Sequence, residues 1–156
     1  MEIVSVIVAL AIAGIVGLLV AWRPLRRFGH QVHLERAREA FRLQRQRLEA
    51  RFAEAAQATG KPRGLRWKNC HFDADVTYVR DRQTGEIAAL VGVTVEFEAV
   101  EGSDMEGNPN VELPRAASAV FFFHKGQWNT VGKAVFNMNP SEALEHFKNQ
   151  YERASS

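Results

Sequence analysis

Three patterns of apolar and polar residues follow one another along the chain. Residues 3–22 form an unbroken apolar run with no charge and one hydroxyl, Ser5. At about 1.5 Å rise per residue, a helix of that length spans the roughly 30 Å hydrocarbon core of a bilayer. Between Gly29 and the breaker run Thr59-Gly60-Lys61-Pro62, Leu34, Phe41, Leu48 and Ala55 recur every seven residues, with Ala37 and Phe52 beside them and strong helix formers in between. This spacing predicts a long helix with one narrow apolar stripe, seated either on the sheet that follows or on a second copy of itself. Gln44 and Arg51 interrupt the stripe, which weakens the case for a coiled coil.

After Gly64 the pattern changes to β-branched and aromatic runs separated by turn residues, the signature of an antiparallel sheet. Strands are expected at 65–72 and 76–80, joined by a bend at Asp73-Ala74-Asp75, then at 87–100, 116–124 and 127–136. Gly85 supplies the positive φ of the first turn, and Lys125-Gly126 makes a short hairpin connection. Asn139 is the expected N-cap of a terminal helix reaching Arg153, with Pro140 at its first position and Glu142 as the capping-box carboxylate. Ile87, Ala89, Val91, Val93, Val95 and Phe97 alternate onto one face. Val120 and Phe122 oppose Phe121 and Phe123, so part of the sheet is apolar on both faces. Either the two helices cover opposite faces or a partner supplies the second cover.

The expected architecture is therefore α+β, in three parts. Residues 1–28 form a transmembrane anchor with a basic flank, 29–59 an amphipathic Arg-rich helix, and 60–156 a four-to-five-stranded antiparallel meander closed by a C-terminal helix. Charge adds direction to this plan. Residues 23–51 carry nine arginines against three glutamates, whereas only Met1 and Glu2 precede the apolar run. Positive residues stay on the cytoplasmic side of a span, so the reading is N-terminus out and folded part inside, at a cell (inner) membrane. Trp22, Arg23, Arg26 and Arg27 mark the membrane flank, with the arginines facing anionic lipid. Ala9, Ala13, Gly17 and Ala21 share one face at spacing four, which lets two helix backbones approach closely. Together with Leu34, Phe41 and Leu48 they are the candidate self-association residues.

Residues placed to carry chemistry are few. Asp104, Glu106, Asn108, Asn110 and Glu112 alternate as in a calcium loop, but the match fails at Pro109, where a glycine is needed, and at Arg115, where a bidentate glutamate is needed. His30 and His33 share a helix face without a third ligand, and Cys70 and His71 alternate to opposite faces of a strand. The single cysteine forms no internal disulfide and reads as a small buried hydrophobe. Asp73 and Asp75 read as solvated carboxylates at a turn. No phosphate-binding loop, nucleophile elbow or dinucleotide fingerprint is present, and the arginine-rich helix lacks the interleaved aromatics of a nucleic-acid surface. No cofactor is implied.

A helix followed by an antiparallel meander resembles the cystatin-like and NTF2-like α+β layouts. The strings Gly64-Leu65-Arg66-Trp67-Lys68, Asp81-Arg82-Gln83-Thr84-Gly85-Glu86 and Phe136-Asn137-Met138-Asn139-Pro140 resemble those of uncharacterised bacterial single-pass membrane-anchored proteins, and so does the segment 90–97. Neither resemblance implies an activity. Two functions are expected from these observations. The first is a membrane-tethered interaction or assembly domain, with a second copy or another protein as partner. The alternative is a small-ligand or enzymatic pocket of the cystatin-like or NTF2-like kind, lined by Trp67, His124 and Trp128.

Overall fold

The structure is a computed structural model that describes Gly14, residues 31–58 and residues 64–155. The chain divides into two compact units, residues 1–36 with 156, and residues 37–155. In the first unit, residues 31–36 are helical and Leu34 is buried. Apart from residues 31–36, everything below concerns the second.

The helix α1 covers residues 31–58. It is followed by β1 (Leu65–Asp81), β2 (Ile87–Ala99), β3 (Arg115–His124), β4 (Gln127–Asn129), β5 (Ala134–Phe136), α2 (Pro140–His146) and β6 (Tyr151–Arg153). The strands make one six-stranded sheet in the order β4-β3-β2-β1-β6, with β5 also paired to β3. All pairings are antiparallel.

The architecture read from the sequence is corrected here. Among the described residues the fold is α+β, built from α1, α2 and six strands, and no helix is long and apolar enough to cross a membrane. The longest described helix, α1, has a single buried stripe and exposes Arg36, Arg42, Arg47 and Arg51 around it. The transmembrane, single-pass reading rested on residues 3–22, which with Ala9, Ala13, Gly17, Ala21, Trp22, Arg23, Arg26 and Arg27 lie outside the described residues, Gly14 excepted.

One face of the sheet receives α1. Ala37, Phe41, Leu48, Phe52 and Ala56 are buried, whereas Ala55 is only half-buried. The stripe thus drifts from the seven-residue repeat toward the period of about 3.6 of a straight helix lying on a sheet, as opposed to the 3.5 of a supercoiled pair. Phe41 meets Phe121 edge-on at 5.3 Å and Trp128 at 5.0 Å, and Phe52 meets Phe72 and Phe121, each at 5.7 Å. Such ring pairs add about 0.5–1.5 kcal/mol beyond their buried area. The buried Trp128 indole donates to the Ala37 carbonyl at 2.8 Å, so its one polar group is satisfied inside the core.

The other face carries a second, smaller core of Val79, Ala88, Leu90, Val120 and Ala143, ringed by Phe122, Val135, Met138, Leu144 and Tyr151. The two helices therefore cover opposite faces, and α2 is set by its cap. The Asn139 side chain accepts from Ser141 and Glu142, and Glu142 accepts from the Asn139 backbone N–H at 2.8 Å. The helix stops at His146, short of the expected Arg153, because the chain turns at Phe147 and lays Tyr151–Arg153 against Val79–Asp81. The expected strand at 127–136 is likewise two strands. Between them Gly132, at φ 72°, presses on α1 so closely that a Cβ there would stand 2.7 Å from the Ala55 carbonyl carbon.

Two outcomes follow from these contacts. Replacing Gly132 by alanine combines positive-φ strain with a backbone clash and costs about 2–4 kcal/mol, whereas Gly85→Ala, at φ 74° but in open space, costs about 1 kcal/mol; urea denaturation of both variants reads the difference. Asp81 accepts from the Thr84 and Gln83 backbone N–H groups, which hold its carboxyl below the ordinary 3.8. A depressed carboxyl contributes stability that is present above the unfolded-state pKa and lost as pH falls through the folded one. Asp81→Ala therefore lowers the unfolding midpoint at neutral pH, and the gap to the parent narrows below pH 3.8; equal gaps at both pH values would count against this role.

Candidate functional site

The three residues expected to line a pocket do not converge. Trp67 is buried among Phe52, Phe97 and Phe136, with ring centroids at 6.0, 5.3 and 5.9 Å. Trp128 is buried against Phe41 and Phe123. His124 is exposed at the β3–β4 hairpin, 2.6 Å from Glu86. The sheet face that would enclose a ligand in the pocket reading is filled by the chain's own aromatics. Phe41 and Leu48, expected in a helix–helix contact, are buried beneath the same helix, so their apolar area is already covered.

Elsewhere the candidate chemistry disperses. In the loop after β2, Glu106 accepts from the Gly102 N–H and Asn108 from the Asn110 N–H, so these oxygens serve the loop's own turns. Among the described residues, no group of three or more His, Cys, Asp or Glu is placed to hold a metal ion. An open, mostly polar cleft of about 660 Å³ runs beside this loop, bounded by Lys68, Glu96, Glu98 and Glu112. Glu98 already pairs with Arg66 at 3.1 Å, and Glu96 accepts from Asn69 at 2.7 Å. Cys70 and His71 point to opposite faces, since they lie opposite Val95 and Thr94. Burial pushes the Cys70 thiol up, away from a reactive thiolate.

What the structure does bring together is an edge. β1 is 17 residues long and pairs with β2 from Leu65 to Arg80 on one side. On its other side β6 covers only Val79–Asp81, and the Ala154 N–H takes the Tyr78 carbonyl. Among the described residues no strand pairs with the outer edge over residues 65–77. The expected bend at Asp73-Ala74-Asp75 is a bulge within this one strand, opposite Gly92, and a second bulge places Lys68 out of register. Asp73 lies over Gly92 so closely that a Cβ there would fall 2.9 Å from the Asp73 carboxyl carbon. Arg45 of α1 fixes the first of these bulges. It pairs with Glu49 at 2.7 Å and donates to the Ala74 carbonyl at 2.6 Å and to the Asp73 carbonyl.

The candidate site is this edge, and its central run is Asn69-Cys70-His71-Phe72, where pairing to β2 is regular between the two bulges. In the sequence the polar Asp73-Ala74-Asp75 interruption reads as a bend between two strands, so nothing in it pointed to an edge. Comparison with protein-family models, with curated proteins and with solved structures gives no match.

Proposed function

We propose that this chain is an interaction module whose docking line is the outer edge of β1, where a partner adds an extended strand. The observation that carries the reading is the mismatch in strand lengths: β6 spans Tyr151–Arg153 against a 17-residue β1. Unpaired N–H and C=O groups along an edge are a template for a further strand, and each backbone bond gained there is worth about 0.5–1.5 kcal/mol net. Side chains alternating along the edge supply specificity, with Cys70 and Phe72 half-buried toward the α1 face and Asn69 and His71 exposed on the other. Both sheet faces have their own helix, and among the described residues the outer edge of β1 over residues 65–77 is the longest run of strand without a neighbouring strand.

The bulges favour selective over indiscriminate docking. They interrupt an otherwise long flat edge, the usual protection against aggregation, and confine regular pairing to a short run. A photo-crosslinking residue at Asn69 in living cells is expected to give discrete adducts, and the same residue at Leu43, 74% exposed on the outer side of α1, to give none. Absence of adducts from position 69, or equal adducts from both positions, overturns the reading.

A further inference from the structure

The first bulge of β1 and the loop after β2 meet at the cleft of about 660 Å³. Trp67 pairs with Phe97 and Asn69 with Glu96, which leaves Lys68 as the extra residue between them. A bulge of this kind re-aims a side chain. Lys68 lines the cleft together with Glu96 and Glu98, and the next residue, Asn69, donates to Glu96 at 2.7 Å. The loop supplies Met105, Asn108, Pro109 and Glu112 to the same lining.

The polar groups of the cleft fall into two sets. Glu98 is matched inside the chain by Arg66 at 3.1 Å, and Glu96 by Asn69 and by His71 at 3.8 Å. Lys68 and Glu112 are exposed, and among the described residues neither has an ion-pair partner. The two are of opposite charge and line one cleft, yet stand too far apart to pair with each other. Asn108 adds a donor: its side-chain carbonyl accepts from the Asn110 N–H at 3.0 Å, while its amide N–H groups have no partner among the described residues.

A ligand with only a carboxylate leaves Glu112 unmatched, and a ligand with only an ammonium leaves Lys68 unmatched. One that carries both groups satisfies the two at once. The volume lies within the range of about 300–1,000 Å³ usual for ligand clefts, which join apolar walls to a few polar groups. We propose that this cleft binds a small zwitterion with an apolar body, of the α-amino-acid class. Its carboxylate is held by Lys68 and Asn108, its ammonium by Glu112, and its side chain lies against Met105 and Pro109. The site goes beyond the docking edge and does not rest on it. Because the cleft is open and both its unmatched charges are exposed, binding is weak and added salt weakens it further.

Amide NMR of the full chain, titrated with L-leucine, tests the proposal beside two half-ligands, isocaproate without the ammonium and isoamylamine without the carboxylate. L-leucine is expected to shift the amides of residues 68, 96–98 and 105–112, and to bind about tenfold or more tighter than either half. Lys68→Glu and Glu112→Lys each place two like charges at the unmatched positions and weaken L-leucine binding about tenfold or more. The double variant again has one charge of each sign and regains binding. A single variant that merely failed to fold would not be rescued by the second change. Cleft amides that do not respond to L-leucine, half-ligands that bind as tightly as the whole, single variants that bind like the parent, or a double variant no better than the singles overturns the proposal.

Discussion

Two strands that are apolar on both faces set the terms for the whole fold. In β2 every residue from Ile87 to Val93 is buried, and in β3 every residue from Ala117 to Phe121. A strand of that kind cannot leave one face in water, so the chain must supply two covers. It does so with unequal means. One face takes α1, whose Phe41 and Phe52 interlock with Phe121, Trp128, Trp67 and Phe72. The other takes a helix of seven residues, which covers only Val79, Ala88, Leu90, Val120 and their neighbours. Beyond that small core the same face turns polar, and Arg66, Asn69, His71, Glu96 and Glu98 form a solvated lattice of ion pairs and hydrogen bonds.

Among the described residues both faces of the sheet are covered, and the longest stretch of strand without a neighbouring strand is the outer edge of β1 over residues 65–77. β6 returns to pair three residues of β1 and goes no further. The bulges at Lys68 and at Asp73–Asp75, the second of them braced by Arg45, twist and punctuate what would otherwise be a long, flat edge. Such bulges are a device by which natural edge strands are protected from aggregation.

Much of this fold was legible in the sequence where local chemistry decides it. The Asn139–Glu142 capping box, the Lys125-Gly126 hairpin with both residues at positive φ, and the alternation along β2 follow from residues within a few positions of one another. What was not legible depends on residues distant in sequence. The fate of residues 151–153 is settled by β1, not by their own helical neighbours, and the break at Gly132 is settled by the backbone of α1. An isolated glycine inside a strand pattern does signal close backbone approach, so that break had a sign. The heptad reading of α1 chose Ala55 where the sheet buries Ala56, because a seven-residue window cannot separate the two periods. The candidate edge was hidden for a related reason: pairing partners, and their absence, are a property of topology that no single strand displays.

Amide hydrogen exchange along β1 in dilute solution tests the account most directly. The account predicts that β2 and β3 amides are the slowest among the described residues, and that within residues 65–77 the amides not bonded to β2 exchange rapidly. Strong protection of every amide from 65 to 77 at the lowest concentration would mean that the edge is already covered within one molecule, and would contradict it.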